Sequence, residues 1–166
     1  MVVLLNAWAS AMNINILQGD QSVFTRDFAL GGNAYTEALQ KELDLPFDAA
    51  EQLKKGIPVD GATFEEARPV LRAVTENVLV EVRKTFDFYK ATAASDQIDR
   101  IVLSGGASRV DGFAEMLESR FGTPVEYFDP FRTVAWDAKT FDGDPAEAVS
   151  TAPVAVGLAL RRAGDR

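Results

Sequence analysis

The 166-residue sequence predicts an α/β fold: a five-strand mixed sheet whose first three strands are antiparallel, with flanking helices and a small helical insertion. Three observations predict it. Three strand-like runs follow one another within residues 2–30, joined by loops of hairpin length. Two later runs are instead separated by helical stretches, which implies parallel pairing through right-handed crossovers. The fourth run, Ile101–Leu103, meets Gly105-Gly106 and then a helical pattern, so a strand, a glycine turn and a helix start adjoin.

Each element has its own justification. Val2–Leu5 is a continuous apolar run, as in a buried central strand. Asn13–Leu17 alternates, Gly19-Asp20 turns, and Ser22–Leu30 runs on as a third strand rich in Val, Phe and Thr. Gly31-Gly32-Asn33 ends this segment. Helices are expected over Tyr35–Leu43 and Phe47–Lys55, with Gly56 stopping the second, and Ile57–Ala62 is a Pro/Gly loop. Residues 31–62 therefore read as the insertion, and 1–30 with 63–166 as the core of one domain. Thr63-Phe-Glu-Glu66 is a capping box that opens a long helix, although Pro69 could itself mark its first turn or a kink. Val70, Leu71, Val74, Val78, Val82, Phe86 and Tyr89 keep helical spacing, so this helix should pack on the sheet. After Ile101–Leu103 a helix is expected over Val110–Phe121, opened by a capping box of Ser108 with Asp111 and stopped by Gly122. Val125–Phe128 is the fifth strand, and 129–146, with Trp136, is rich in loop residues. A last helix is expected over Ala148–Arg162.

Composition bounds the chemistry. Seventeen basic against 25 acidic residues give a net charge of −8, which argues against nucleic acid and anionic membrane as main partners. The chain has neither cysteine nor histidine, which excludes disulfides, thiolate nucleophiles, imidazole bases, His/Cys zinc sites and Ser-His-Asp triads. Carboxylate, lysine, hydroxyl and backbone chemistry remain. No apolar stretch reaches the length of a membrane span, and no signal-peptide pattern stands at the N-terminus. The most suggestive segment is Ile101–Phe113. Glycine at 105 and 106 lets backbone come close to a ligand, and free N–H groups at the following helix start point at electron-rich groups. The same pattern also suits an ordinary strand-to-helix turn. Glu51 and Lys54 share a helix face at spacing i, i+3, as a surface ion pair or as a polar pair facing a ligand.

Several islands taken together resemble the type IV pilus assembly protein PilM family, within the actin-like ATPase superfamily. They are Asn13–Leu17, Phe24-Thr-Arg-Asp27, Gly31-Gly-Asn33 with Thr36–Leu39, Phe86-Asp-Phe-Tyr89, Leu103-Ser-Gly-Gly106, Asp129-Pro-Phe131 and Val154–Leu160. They cover nearly the whole chain in the family's order and match its second, C-terminal actin-like domain, a ribonuclease H-like fold. The resemblance implies that Gly105, Gly106 and Ala107 belong to the adenosine motif beside ribose and base, and that Glu51 and Lys54 meet ribose and adenine. It further implies ATP with Mg as the cofactor of the intact family. Where the family's second phosphate loop has an Asp, and a Gly two residues on, this sequence has Asn6 and Trp8. Losing that carboxylate weakens the hold on magnesium. The indole is expected to turn away and pack in the core. Nucleotide binding should thus be weak or absent in this chain, and no catalytic or metal residue is assigned.

The resemblance also implies a cytoplasmic component at the inner face of the bacterial inner membrane. It would bind PilN-like inner-membrane assembly proteins through a first domain that is expected to precede this half. The chain is then a nucleotide-binding half acting as scaffold or conformational switch. The alternatives are an active ATPase or kinase domain, and a structural interaction domain that no longer binds nucleotide. Ala148, Ala152, Ala155 and Ala159 form a small-residue stripe on the last helix, with Val154 and Leu158 on the side expected to pack on the sheet. In the family such a segment crosses its counterpart in the first domain, so weak self-association through Ala148–Arg162 is expected.

Overall fold

A computed structural model describes residues 1–92, 97–132, 134, 139 and 145–162. Strands β1 (Val2–Ala7), β2 (Met12–Gln18) and β3 (Gln21–Phe28) come first. Helices α1 (Gly32–Leu43), α2 (Phe47–Lys54) and α3 (Phe64–Thr92) follow. Then come β4 (Arg100–Ser104), α4 (Phe113–Phe121), β5 (Val125–Tyr127), α5 (Pro145–Thr151) and α6 (Pro153–Ala159). The five strands form one sheet in the order β3-β2-β1-β4-β5. β1 to β3 are antiparallel, and β4 and β5 run parallel to β1. This is the mixed sheet expected, with Val2–Leu5 at its centre. Gln18 faces Gln21 across the hairpin, and Gly19 takes the positive φ that the turn needs.

Alternation places the core. Val3, Leu5 and Ala7 of β1 and Met12, Ile14 and Ile16 of β2 are fully buried, while the residues between them are partly exposed. α3 covers this face with Leu71, Val74, Val78, Val82, Phe86 and Tyr89, and Phe113 and Leu117 of α4 complete it. The capping box at the start of α3 is present. The Thr63 N–H donates to Glu66 Oε2 at 2.8 Å and the Glu66 N–H to Thr63 Oγ1 at 3.3 Å. α3 starts there, so Pro69 lies inside the helix rather than at its first turn. α1 docks on α3 through the buried Tyr35, whose hydroxyl lies 3.1 Å from Thr75 Oγ1. Leu39, Leu45, Ala50 and Leu53 join the same core, which fixes α1 and α2 against the sheet domain.

Three expectations are corrected. Ser108 and Asp111 form no capping box. A short 3₁₀ turn, Gly106–Arg109, follows β4; Ser108 Oγ donates to the Gly105 carbonyl at 2.7 Å, and Asp111 pairs with Arg68 at 3.3 Å. α4 begins only at Phe113, because Gly112 at φ 76 adopts a left-handed conformation that a helix cannot continue. The last helix is broken at Ala152–Pro153: proline has no N–H to donate and crowds the carbonyl four residues back, so it opens α6 instead. Val154 and Leu158, expected on the sheet, are exposed. Trp136 and most of 129–146 lie outside the described residues. Among the described residues no helix is long and apolar enough to cross a membrane.

Candidate functional site

The site begins with three chain segments brought together at the carboxyl ends of β1 and β4. β1 ends in the loop 8–11, where the Trp8 N–H donates to the Ala11 carbonyl at 3.0 Å. The N-terminus of α1 grips this loop: the Gly32 N–H donates to Trp8 O at 2.8 Å and the Asn33 N–H to Ala9 O at 2.7 Å. Only glycine permits the approach, because a Cβ at Gly31 would lie 2.4 Å from Trp8 O. β4 runs into Gly105, at φ 85, where a Cβ would lie 2.2 Å from Ala7 O. Gly105 therefore keeps β1 and β4 in contact as the chain turns. Its N–H donates to Ser150 O at 2.8 Å, which ties the turn to α5.

These segments, with α2 and α5, enclose a cavity of about 410 Å³, within the size range of small-molecule sites. Gly106 and Ala107, Glu51 and Lys54, and Gly32 all line it. A Cβ on Gly32 would lie 3.3 Å from Ala107 Cβ and 3.7 Å from Lys54 Nζ, so Gly32 brings these two residues close together. Trp8 and Ala9 line a further side, and Arg109, Glu147 and Thr151 also border the space. Lys55 reaches across to Glu147 at 3.5 Å and links α2 to α5.

The polar pair on α2 is part of a network. Lys54 Nζ donates to Glu51 Oε1, to Thr36 Oγ1 at 2.8 Å and to the Gly32 carbonyl at 3.2 Å, and Thr36 Oγ1 donates to Glu51 Oε1. An ammonium has three protons, so Lys54 is saturated. Partial burial pushes the Glu51 carboxyl upward. The hydrogen bonds from Lys54 and Thr36, with the charges of Lys54 and Lys55, outweigh it and hold the group below its ordinary value. Glu51 is thus a carboxylate at neutral pH, oriented by Lys54, still 28% exposed and bordering the cavity.

Of the residues singled out in the sequence, Glu51, Lys54, Gly106 and Ala107 come together here. Gly105 and Asn6 do not line the space. Asn6 pairs with Ser104 in the β1–β4 ladder and accepts a hydrogen bond from Ser104 Oγ at 3.0 Å. Trp8 is a correction: it lines the cavity instead of joining the core. Lys55, Arg109 and Glu147 carried no signal, because Lys55 and Glu147 are 92 positions apart and meet only through the fold. Among the described residues no group of three His, Cys, Asp or Glu side chains is placed to hold a metal ion. A nucleoside in this space would be bordered by Glu51 and Lys54 and by Gly106 and Ala107. At the end of β1, Asn6 is engaged in the ladder and the N–H groups of Trp8, Gly32 and Asn33 are spent on loop carbonyls, so these groups do not fit a phosphate with its magnesium.

Comparison with known proteins bears on this site. The family described as type IV pilus assembly protein PilM matches residues 1–163. A solved PilM-PilN type IV pilus biogenesis complex is similar at 28% identity and TM-score 0.81, over 96% of this chain and 45% of that one. An MreB of Spiroplasma citri bound to AMPPNP is similar at 14% identity and TM-score 0.67, over 95% of this chain and 51% of that one. An archaeal actin homolog, Ta0583, is similar at 16% identity and TM-score 0.60, over 79% of this chain and 43% of that one. The last two show the fold, which is actin-like. The chain spans less than half of the matched PilM-PilN chain.

Proposed function

Because the chain belongs to the type IV pilus assembly protein PilM family, we propose that it serves pilus assembly, or a related secretion machine, as the nucleotide-clasping half of an actin-like protein. In this reading it works in the cytoplasm, at the inner face of the inner membrane, and the whole protein engages a PilN-like partner. The observation that carries the nucleotide part is the cavity itself. Glu51 and Lys54, from one helix, face Gly106 and Ala107, from a turn about 50 residues away in sequence, across a space of nucleoside size.

The chain acts through shape. α2 and α5 both border the cavity, so a ligand that binds one arrangement of these elements better than another shifts the balance between them. The engagement of Asn6 with Ser104, where the family's phosphate loop has a carboxylate, favours this scaffold or switch over an enzyme.

Chemical-shift mapping with ATP tests the placement. Changes should concentrate at Glu51, Lys54, Gly106 and Ala107. Changes confined to the second cavity, lined by Phe86, Lys90, Ile98 and Phe121, would overturn the reading. For the pilus role, deleting the gene should abolish surface pili, and piliation unchanged in the deletion strain would count against it.

A further inference from the structure

We propose that the outer edge of β3 is a docking surface for a second copy of this chain, the two β3 strands pairing antiparallel about a two-fold axis with Thr25 opposite Thr25. β3 contributes no residue to the cavity, so this inference stands apart from the nucleotide reading.

The two edges of the sheet differ. β5 has three residues, a short edge of the kind that resists pairing, whereas β3 has eight, with no proline or lysine among them. Which of its backbone groups are free follows from the phase of the ladder. The Trp8 N–H donates to Ala11 O at 3.0 Å, so these two form a hydrogen-bonded pair, and such pairs alternate along antiparallel strands. In the β1–β2 register the next ones are Asn6–Asn13, Leu4–Asn15 and Val2–Leu17. Asn13 and Asn15 therefore spend their backbone on β1. The residues opposite them on β3, Asp27 and Thr25, point N–H and C=O away from β2. On that outer side no further strand stands among the described residues. Exposed apolar surface flanks these groups: Val23 on the strand, and Phe88 of α3, 57% exposed with its ring centroid 5.9 Å from that of Phe24.

Charge decides the register and makes the strand complementary to itself. Pairing must join residues whose backbone points outward. With Thr25 opposite Asp27, Arg26 would face Arg26, and with Asp27 opposite Asp27 two carboxylates would meet; like charges directly opposite each other destabilise a ladder. With Thr25 opposite Thr25, Arg26 lies opposite Phe24 and Asp27 opposite Val23, so no like charges meet. Threonine opposite threonine is a favourable cross-strand pair. Arg26 of each copy then comes beside the Phe24 and Phe88 rings of the other, a cation against aromatic surface. Its side chain is 37% exposed and lies 3.9 Å from Glu81, a long ion pair that leaves it room to turn. An inward charge on an edge strand ordinarily discourages pairing. Here the charges at 26 and 27 exclude the wrong registers and leave one, and a surface that complements itself is what a two-fold contact requires.

The test is sedimentation of the 166-residue chain at physiological ionic strength, where the repulsion from a net charge of −8 on each copy is screened. Monomer and dimer should be in equilibrium. Thr25→Pro removes an outward N–H and no bond to β2, so it should melt as a folded chain and weaken the dimer about tenfold or more, the worth of the two backbone hydrogen bonds lost across the axis. Thr25→Lys, which leaves the backbone intact, should also weaken it by setting like charges opposite each other. The chain has no cysteine, so Thr25→Cys introduces a single thiol. At the roughly 5.5 Å Cα spacing of a hydrogen-bonded pair it should cross-link to its own copy under air oxidation, and much faster than Asp20→Cys at the hairpin tip. A chain that is monomeric at millimolar concentration would overturn the proposal. So would a dimer of unchanged affinity in the folded Thr25→Lys chain, or cross-linking of Thr25→Cys no faster than that of Asp20→Cys. A dimer abolished by Ala155→Glu and untouched by Thr25→Lys would place the contact on the last helix and overturn it as well.

Discussion

Two adjacent glycines do different work. Gly105 sits at φ 85 with no room for a side chain: a Cβ there would meet the Ala7 carbonyl oxygen at 2.2 Å and the Ala7 nitrogen at 2.8 Å. Gly106 has space, the nearest atom to its Cβ position being Thr151 Cγ2 at 3.9 Å. Gly105→Ala should therefore cost about 3 kcal/mol or more, combining backbone strain with separation of β1 from β4. Gly106→Ala should stay within about 1 kcal/mol of the parent and act on the cavity alone. Thermal melts of the two variants check this, and equal losses would show that the pair is a single turn device. In the sequence both residues read as ligand contacts, because a Gly-Gly pair after a strand carries no mark of which member faces a neighbouring strand. The Glu51–Lys54 spacing was legible, since i, i+3 on a helix fixes adjacency. Its closure by Thr36 was not, because that contact depends on how α1 crosses α2.

At the scale of elements, local chemistry was readable wherever it was self-contained. The Thr63–Glu66 box, the Gly19-Asp20 turn and the apolar stripe of α3 are each completed within a few turns of chain. The α4 start and the α5–α6 break are not legible from the capping pattern at Ser108–Asp111 or from the alanine stripe, because Gly112 and Pro153 decide them. Pro69 is the reverse case, a helix breaker held inside a helix. It is exposed, and α3 continues because its buried face is long. Replacing it with alanine restores a backbone donor and removes a clash, so Pro69→Ala should stabilise the chain by about 1–3 kcal/mol. Chemical denaturation measures this, and a destabilised variant would mean that the proline sets the start of α3. A second prediction concerns how α1 is held on α3. Burial pushes the Tyr35 hydroxyl up to about 12, with its bond to Thr75 pulling slightly the other way. The folded state thus favours the neutral phenol. The resulting stability is fully present below pH 10 and is lost as pH rises from 10 to 12, up to about 3 kcal/mol. Tyr35→Phe has no phenol to ionise. Thr75 keeps its bond to the Leu71 carbonyl at 3.0 Å, so the variant should lose only about 1 kcal/mol at neutral pH. Its stability should fall less steeply above pH 10, as denaturation curves at pH 8 and 11 would reveal.

The whole molecule was legible in outline because topology follows from loop lengths. Hairpin connections force antiparallel neighbours and helical crossovers force parallel ones, which leaves few arrangements of five strands. The cavity was half legible: Glu51 with Lys54 and Gly106 with Ala107 lie on two local motifs, while its other borders come from the loop after β1 and from α5, which only the closed fold brings into place. That division bears on catalysis. Phosphoryl transfer is accelerated by donors and cations already aimed at the charge that develops on the transferring group. In this chain several candidates beside the cavity are committed elsewhere. Lys54 is saturated by Glu51, Thr36 and Gly32, the α1 N-terminus by the loop 8–11, and Asn6 by Ser104. Recruiting any of them would break a bond that holds two elements together, so the fold itself opposes the rearrangement. The 166-residue chain should hydrolyse ATP no faster than buffer, as phosphate release under magnesium would show. Turnover above buffer that disappears in a Gly106→Val chain would mean that these groups exchange partners when nucleotide enters, and that the cavity is an enzyme's active site after all.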